Sequence, residues 1–433
     1  MINQELLEIV RCPHCLTTNP EANLPHSQRG RMEQVEGGVV CRNCGTAYGA
    51  FLDAPNLTQS GQLSQSGVAV ALLTEHELPQ RGYLDLLLHD AFQHQTRYLD
   101  EEFEQEIDHE HISLPLLAAK VRNDLLRRML QPRRGEAALE VGCGNGKFCY
   151  WNRERFRLVV GVDAAPLFAN EALDEIPLVR GDVRRLPFAS QSFDKIFSID
   201  LLEHLSQDGI APFFEEINRV LKPGGHVFIF SNTREMGKLW PVIALEKRVS
   251  QYFVRRGIFD SKRDELRKSD HIKALRTFDE LEAALEAGGF VLERKVFWNG
   301  VFQGLVDNII VKGGEYWIRR GVRARLQKSA QRNRRSRQLR NRIADSMSGK
   351  GESADSSVSI RIAPERQRQP NQANENAQLD LLVRQQLKRE VAQRKGGAFL
   401  LLLRGLTWLM QLDIWLFGKL RTGPYFILIK KTA

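Results

Sequence analysis

The chain has 433 residues, 42% of them hydrophobic and 27% charged, with a formal net charge of +9. That length carries two or three domains with a well-buried core. The charge is concentrated: ten arginines and Lys328 fall within 319–342 with no acidic residue, and the remainder is slightly acidic, so composition does not mark the whole chain as a nucleic-acid binder.

Residues 1–60 read as a small module. Cys12 and Cys15 form one Cys-x-x-Cys pair and Cys41 and Cys44 a second. Two such knuckles separated by a loop place four thiolates tetrahedrally around zinc, and so small a unit draws its stability from the metal. The pattern favours a metal in a reducing compartment over a disulfide framework. His14 and His26 are read as surface residues, since four cysteines already fill the shell. Residues 1–6 offer neither a basic n-region nor an apolar h-region, so no secretory signal is expected and the cytoplasm is the expected location. The lead-in to Cys12 and the stretch 47–55 resemble the short zinc-ribbon proteins that activate tRNA and release-factor methyltransferases. That resemblance implies a structural zinc and a scaffold without chemistry of its own.

Residues 61–82 read as a linker, with a polar Gln/Ser/Gly run at 59–67. From 83 to 130 the pattern is helical, with apolar residues at Leu84, Leu87, Leu88, Ala91 and Phe92. Residues 100–110 carry seven acidic side chains, with His109 and His111 beside them; lacking a distinctive ligand spacing, they read as a solvated helix face. The helix over 116–130 is expected to pack on the sheet.

The stretch 137–147 organises the rest. A buried strand ending at Val141 runs into Gly142, Gly144 and Gly146, three glycines at alternate positions that permit a tight turn and close approach of a ligand. The spacing is not the G-x-G-x-x-G of dinucleotide folds, and Glu140 on the strand end suits a cationic ligand better than a pyrophosphate. A second apolar strand, 158–163, ends in Asp163, placed to bond ribose hydroxyls. Gly181, Asp182 and Val183 follow, then a strand over 193–200 ending at Asp200, and a helix, turn and strand over 217–230. Cys143 and Cys149 read as packing residues. In this order the motifs resemble class I S-adenosylmethionine-dependent methyltransferases, of the type 11 kind, over roughly 125–312 plus a returning strand. The resemblance implies an α/β fold: a seven-stranded Rossmann-like sheet, preceded here by the zinc ribbon and interrupted by a large C-terminal insertion. It also implies S-adenosyl-L-methionine as cofactor, held by Glu140, Gly142, Gly144, Gly146, Asp163, Asp182, Val183 and Asp200, with the acidic residue of the third motif by the adenine amine.

The methyltransferase domain is expected over 83–311. A helix over 212–221 has Pro212 in its first turn. A basic and aromatic insertion at 233–276 stands where this family builds a substrate lid. Thr277 and Glu280 form a capping box for a helix ending at Gly288 and Gly289. A sixth strand, 290–298, pairs antiparallel with the last one, 425–430. Between them, 312–397 is a basic and low-complexity insertion, and 398–433 an apolar helix with that last strand. The run 398–417 is long enough to span a bilayer. Arg404 and Asp413 argue against spanning, at about 3 kcal/mol each. A buried core helix is the first reading and a helix lying on a membrane the second.

Methyl transfer is an in-line displacement in which the protein positions donor and acceptor and excludes water. Asp200, Glu203 and His204 stand where the fourth strand opens, and His204 has the intrinsic pKa of a base. His271, at the far end of the lid, is a further candidate. Three function classes follow: methyl transfer to a small-molecule or lipid-linked acceptor with peripheral contact at the inner face of the membrane; an RNA methyltransferase using the ribbon and the arginine run; and a non-catalytic scaffold that binds the cofactor. Complete cofactor motifs weigh against the last.

Overall fold

The structure, a computed structural model, describes residues 3–18, 30–35, 38–51, 82–88, 111–112, 114–259, 271–314, 316–318, 320–321, 324–325 and 397–432. His26, most of the linker, Ala91, Phe92, the acidic run 100–110, the 260–270 part of the lid, most of the arginine run and the low-complexity stretch lie outside them.

Eleven described strands join in one sheet. A ribbon of β1 (Met32–Val35), β2 (Gly38–Cys41) and β3 (Ala47–Phe51) pairs antiparallel throughout. Strand β4 (Tyr83–Asp85) joins it antiparallel to β3 and runs parallel to β7 (Leu178–Arg180). The order then continues through β6 (Leu158–Asp163), β5 (Ala137–Val141), β8 (Phe193–Ile199), β9 (Leu221–Asn232), β11 (Pro424–Lys431) and β10 (Phe290–Phe297). From β7 to β9 the pairs are parallel; β11 is antiparallel to β10, as the sequence predicts, and also to β9. The seven strands from β7 to β10 form the Rossmann-like part of this sheet, with the loop-bearing strand β5 in its interior between β6 and β8, buried at all five residues. Continuous Val, Leu and Ile runs fit strands covered on both faces.

Three expectations are corrected. The stretch from Tyr83 opens as a strand and not a helix: Tyr83 and Leu84 are buried against β7, and Arg180 pairs with Asp85 at 3.0 Å. The free edge of β7 decides the conformation that the leucine spacing left open. The helix before β9 runs Gln207–Val220, so Pro212 lies inside it and not in its first turn, and Ser206 precedes its start. The helix Ala398–Phe417 is not a core helix, since only Thr407, Met410 and Asp413 in it are buried.

The chain divides into two compact units. The first comprises 1–245, 261–304 and 404–433, and the second 246–260 and 305–403. The first unit holds the whole sheet. In it the helix Leu117–Leu130 lies on β9 and β11, burying Val121, Leu125, Leu126 and Met129. The helix Phe278–Ala287 begins at Thr277, whose hydroxyl accepts the Glu280 N–H as the capping box predicts, while the Glu280 carboxylate reaches back one residue further than the box requires and accepts the Arg276 N–H. In the second unit the described side chains include Phe253 and Phe259, whose rings pack with centroids 5.0 Å apart.

The cysteine module is not a separate bead. Residues 9–11 run antiparallel to 187–189: Arg11 donates its N–H to the Pro187 carbonyl at 2.9 Å, and Ala189 donates to the Ile9 carbonyl at 2.7 Å. Leu6 and Val10 enter the same apolar core as Phe188 and Phe193, and Glu5 pairs with Arg157 at 2.7 Å. The stretch after Asp182, read from sequence as part of a cofactor motif, is therefore also the seat of the module.

Candidate cofactor and acceptor site

Strand β5 ends between its parallel neighbours β6 and β8, and the backbone turns away over Gly142, Gly144 and Gly146, at φ of +74°, +53° and +79°. A Cβ on Gly142 would stand 2.9 Å from Leu201, and one on Gly146 2.8 Å from the Ala172 Cβ, so both glycines are required by close neighbours. The Cβ position of Gly144 faces open space, with nothing within 4 Å.

The loop is braced from both sides. Glu140, buried, accepts the Cys149 N–H on Oε2 at 2.9 Å, which ties the strand end to the first turn of the helix Lys147–Asn152. Burial pushes the Glu140 carboxyl up to about 8 against the pull of the Cys149 donors. Asp163 at the end of β6 accepts the Gly144 N–H on Oδ2 at 2.7 Å and the Ala165 N–H on Oδ1 at 2.9 Å; burial raises its pKa, opposed by those same N–H groups. Asp182 is held by Arg184, whose Nε and Nη2 reach its two carboxylate oxygens at 3.0 and 2.9 Å, while Val183 is buried. Cys143 and Cys149 are buried and their thiols are pushed up by burial, the setting of packing residues.

At the open end of β8, Asp200 adopts a left-handed backbone at φ +58° and pairs with Arg122 at 2.7 Å. Arg122 also lies 4.6 Å above the Phe230 ring. The next turn, Leu202–His204, carries Glu203 inward. The buried Glu203 carboxylate accepts from the Ser231 hydroxyl and from Asn232 Nδ2, the latter at 3.0 Å. Burial, then the neighbouring Asp200 charge, pushes its pKa up to about 7. The His204 and His271 rings meet edge to face, 4.9 Å between centroids. The structure thus joins two candidates 67 positions apart that the sequence offers separately. Arg122, Ser231, Asn232 and Lys273 complete the neighbourhood. Nothing in their local sequence singles them out, because each is brought in by a neighbouring strand, helix or loop.

In the N-terminal module the four Sγ atoms of Cys12, Cys15, Cys41 and Cys44 lie within 4.8 Å of one another, with Cys12–Cys44 and Cys15–Cys41 both at 3.6 Å. Thiolates about 2.3 Å from a tetrahedral metal stand about 3.8 Å apart, so the cage has the size for one ion. The Tyr48 and Thr46 hydroxyls lie 3.1 Å from Cys12 and Cys44, where they orient the ligands. His14 is exposed beside this filled shell. His111 contacts Glu171 at 3.3 Å.

Comparison with known families bears directly on both sites. The family described as "Methyltransferase domain" matches residues 139–229, and the family described as "Trm112p-like protein" matches residues 3–48. The chain carries an S-adenosylmethionine-dependent methyltransferase domain joined to a Trm112p-like zinc-ribbon domain. The methyltransferase domain is 36% identical over 104 residues to a sterol 24-C-methyltransferase of Pneumocystis carinii, covering 22% of this chain and 27% of that one. It is 29% identical over 146 residues to a malonyl-[acyl-carrier protein] O-methyltransferase of Serratia marcescens, covering 31% and 56%. It is 30% identical over 133 residues to a tRNA U34 carboxymethyltransferase of Saccharophagus degradans, covering 28% and 39%. The chain thus spans from about a quarter to just over half the length of these curated relatives. Among solved structures, a Haemonchus contortus phosphoethanolamine N-methyltransferase 2 with S-adenosylhomocysteine aligns at 15% identity and a TM-score of 0.37, over 79% of this chain and 59% of that one.

Proposed function

We propose that this protein transfers the methyl group of S-adenosylmethionine to a small-molecule or lipid-linked acceptor at the cytoplasmic face of a membrane. Gly142, Gly144 and Gly146 form the turn for the methionine end, with Gly144 open to it, and Asp163 serves the ribose. Glu140 secures the loop, Asp182 and Val183 line the adenine side, and Asp200 with His204 borders the methyl group. The acceptor would enter beside His204, which can take a proton from it. Zinc fills the four-cysteine cage as a structural ion and takes no part in the chemistry.

The observation that carries the membrane reading is the exposed apolar face of the helix Ala398–Phe417. Beside the buried Met410 and the Phe417 ring on Phe302, polar side chains hold it to the protein: Thr407 Oγ1 accepts the Leu117 N–H at 2.8 Å, Gln411 donates to Asp124 at 2.9 Å, and Asp413 accepts the Phe302 and Gln303 N–H groups at 2.9 and 2.8 Å. Its large apolar side chains point outward, with Trp415 80% exposed, Leu401 66% and Trp408 62%. Among the described residues this is the one helix long and apolar enough to cross a membrane, with 17% of its most apolar window buried. An exposed Trp/Leu face on a helix anchored by polar groups fits an interfacial helix.

A second reading, an RNA acceptor, draws on the Trm112p-like match and on the eleven cations of 319–342. Incubation of the purified protein with labelled S-adenosylmethionine and separated lipid, RNA and protein fractions decides between them. Label in the lipid fraction supports the first reading, and label in RNA alone replaces it with the second.

A further inference from the structure

The geometry points to a divalent-cation site formed by Glu203, His204 and His271, bordering the methyl-transfer site and suited to an oxygen acceptor. One ligand atom from each of these three side chains lies within 4.8 Å of the other two. Ligands about 2.1 Å from one metal stand about 3.0–3.5 Å apart, so side-chain rotations closing at most about 1.3–1.8 Å complete the set.

Several features mark this as a constructed arrangement. Glu203 is 2% exposed, a position in which a carboxylate needs partners. Its two oxygens are oriented by Ser231 and Asn232 at the end of β9, the kind of support that ligating carboxylates have. Each oxygen keeps a further lone pair for a metal. Arg122 pairs with Asp200 and also lies close enough to act on the Glu203 charge, without a hydrogen bond to it among the described contacts. The Lys273 N–H donates to the Glu203 carbonyl at 2.8 Å, which pins the segment carrying His271 to the turn carrying Glu203 and His204. The two imidazoles are half-buried and perpendicular, with planes at 88°, so their nitrogens converge from different directions.

Two imidazoles and one carboxylate select manganese, iron, cobalt, nickel or zinc over calcium or magnesium, and leave coordination positions open. Leu201, next to this turn, lies against Gly142 of the cofactor loop, so the cluster borders that loop. This role rests on the methyltransferase reading above. With a cation bound, His204 serves as a ligand and no longer as the proton acceptor, and an acceptor hydroxyl or enol binding there loses its proton to solvent, because the cation lowers its pKa. The oxyanion attacks the methyl carbon, and the new C–O bond forms as the C–S bond breaks. The electron pair of that bond stays on sulfur, leaving neutral S-adenosylhomocysteine. An oxygen acceptor follows from this chemistry, because the cation acts by lowering the pKa of an O–H group that it binds directly.

The test uses the full chain with its ribbon loaded with zinc, titrated with Mn(II) while electron paramagnetic resonance follows the free ion. Manganese is a poor match for the four thiolates, so it reports on the second site. About one Mn(II) per chain is expected. His271→Ala and Glu203→Gln should each weaken binding more than about tenfold, since loss of a supporting group alone costs roughly 10–100-fold. Calorimetry with S-adenosylhomocysteine runs on the same preparations, and the variants should keep wild-type affinity for it. Absence of Mn(II) binding to the wild-type chain, or binding unchanged in both variants, overturns the site. Parallel loss of Mn(II) and S-adenosylhomocysteine binding in both variants also overturns it, by assigning the cluster to packing. A wild-type chain that binds Mn(II) at these residues but not S-adenosylhomocysteine keeps the cation site and refutes the methyltransferase reading instead.

Discussion

Gly144 donates its backbone N–H to Oδ2 of Asp163 at 2.7 Å, so the cofactor loop after β5 and the acid at the end of β6 are one structural unit. Replacing either residue disturbs both. Asp163→Ala removes the ribose partner and the loop brace together, and should weaken S-adenosylhomocysteine binding by roughly 1–3 kcal/mol, the scale of a lost hydrogen bond to a charged group. Gly144→Val puts a branched side chain at φ +53° into the open space reserved for the ligand, and should weaken binding at least as much. Titration calorimetry reads both, and unchanged affinity in the pair refutes the assignment of this loop.

The loop, its neighbouring strands and the helix cap were legible because each rests on local chemistry: glycines at a turn, apolar runs for strands covered on both faces, and Thr277 with Glu280 as a cap; the seven-stranded sheet followed from the family resemblance. What escaped was decided by distant partners. Tyr83, Leu84 and Leu87 have a spacing compatible with a helix, and it is the unpaired edge of β7 that draws Tyr83–Asp85 into a strand. His204 and His271 could each be named as candidates, but their meeting depends on how the lid returns to the sheet and on the Lys273–Glu203 hydrogen bond. The helix Ala398–Phe417 is apolar nearly all round, so its sequence favoured the core. Thr407 and Asp413 face inward beside Met410, a choice set by donors on Leu117, Phe302 and Gln303.

The ribbon shares its core with the methyltransferase domain through Leu6 and Val10, so its metal should stabilise more than itself. Purified protein is expected to hold about one zinc through Cys12, Cys15, Cys41 and Cys44. Cys41→Ser/Cys44→Ser should lose that zinc and lower the melting temperature of the methyltransferase domain, before any loss of cofactor affinity in protein that remains folded. Elemental analysis with calorimetric melting measures this. Full retention of zinc in the double variant would falsify the ligand assignment, and an unchanged melt would show that the docking at 187–189 carries no stability.

Glu140 gives a pH signature. Its carboxyl has an ordinary value of 4.5 in the unfolded chain and about 8 in the folded one. Across that window the folded form keeps a proton that the unfolded chain has released. Its contribution to stability is therefore full at low pH and is lost as pH rises through the window. Glu140→Gln keeps an oxygen for the Cys149 N–H and removes the titration. Urea unfolding of the cofactor-free protein at pH 5, 6.5 and 8 should show the wild type losing stability relative to the variant as pH rises. Parallel curves for the two proteins across that range would show that Glu140 does not titrate there.

The membrane reading requires hydrocarbon and charge together. Trp408 and Trp415 supply exposed aromatic surface from a helix whose polar side is taken up by Leu117, Asp124, Phe302 and Gln303. The eleven cations of 319–342 add attraction of about 1 kcal/mol each when they reach an anionic lipid surface. Flotation with vesicles containing phosphatidylserine should therefore bring the protein up at low salt, less of it at high salt, and less again for Trp408→Ser/Trp415→Ser. Those side chains make little of the folded contact surface, so the double variant should melt with the wild type, and a matched melt ensures that lost flotation reports on the apolar face. Binding that follows salt but ignores the tryptophans would leave only the cationic segment at the surface and remove the helix from the interface. Absent flotation, with tight salt-sensitive binding to RNA in its place, would transfer the cations to a phosphate backbone and make RNA the acceptor to test first.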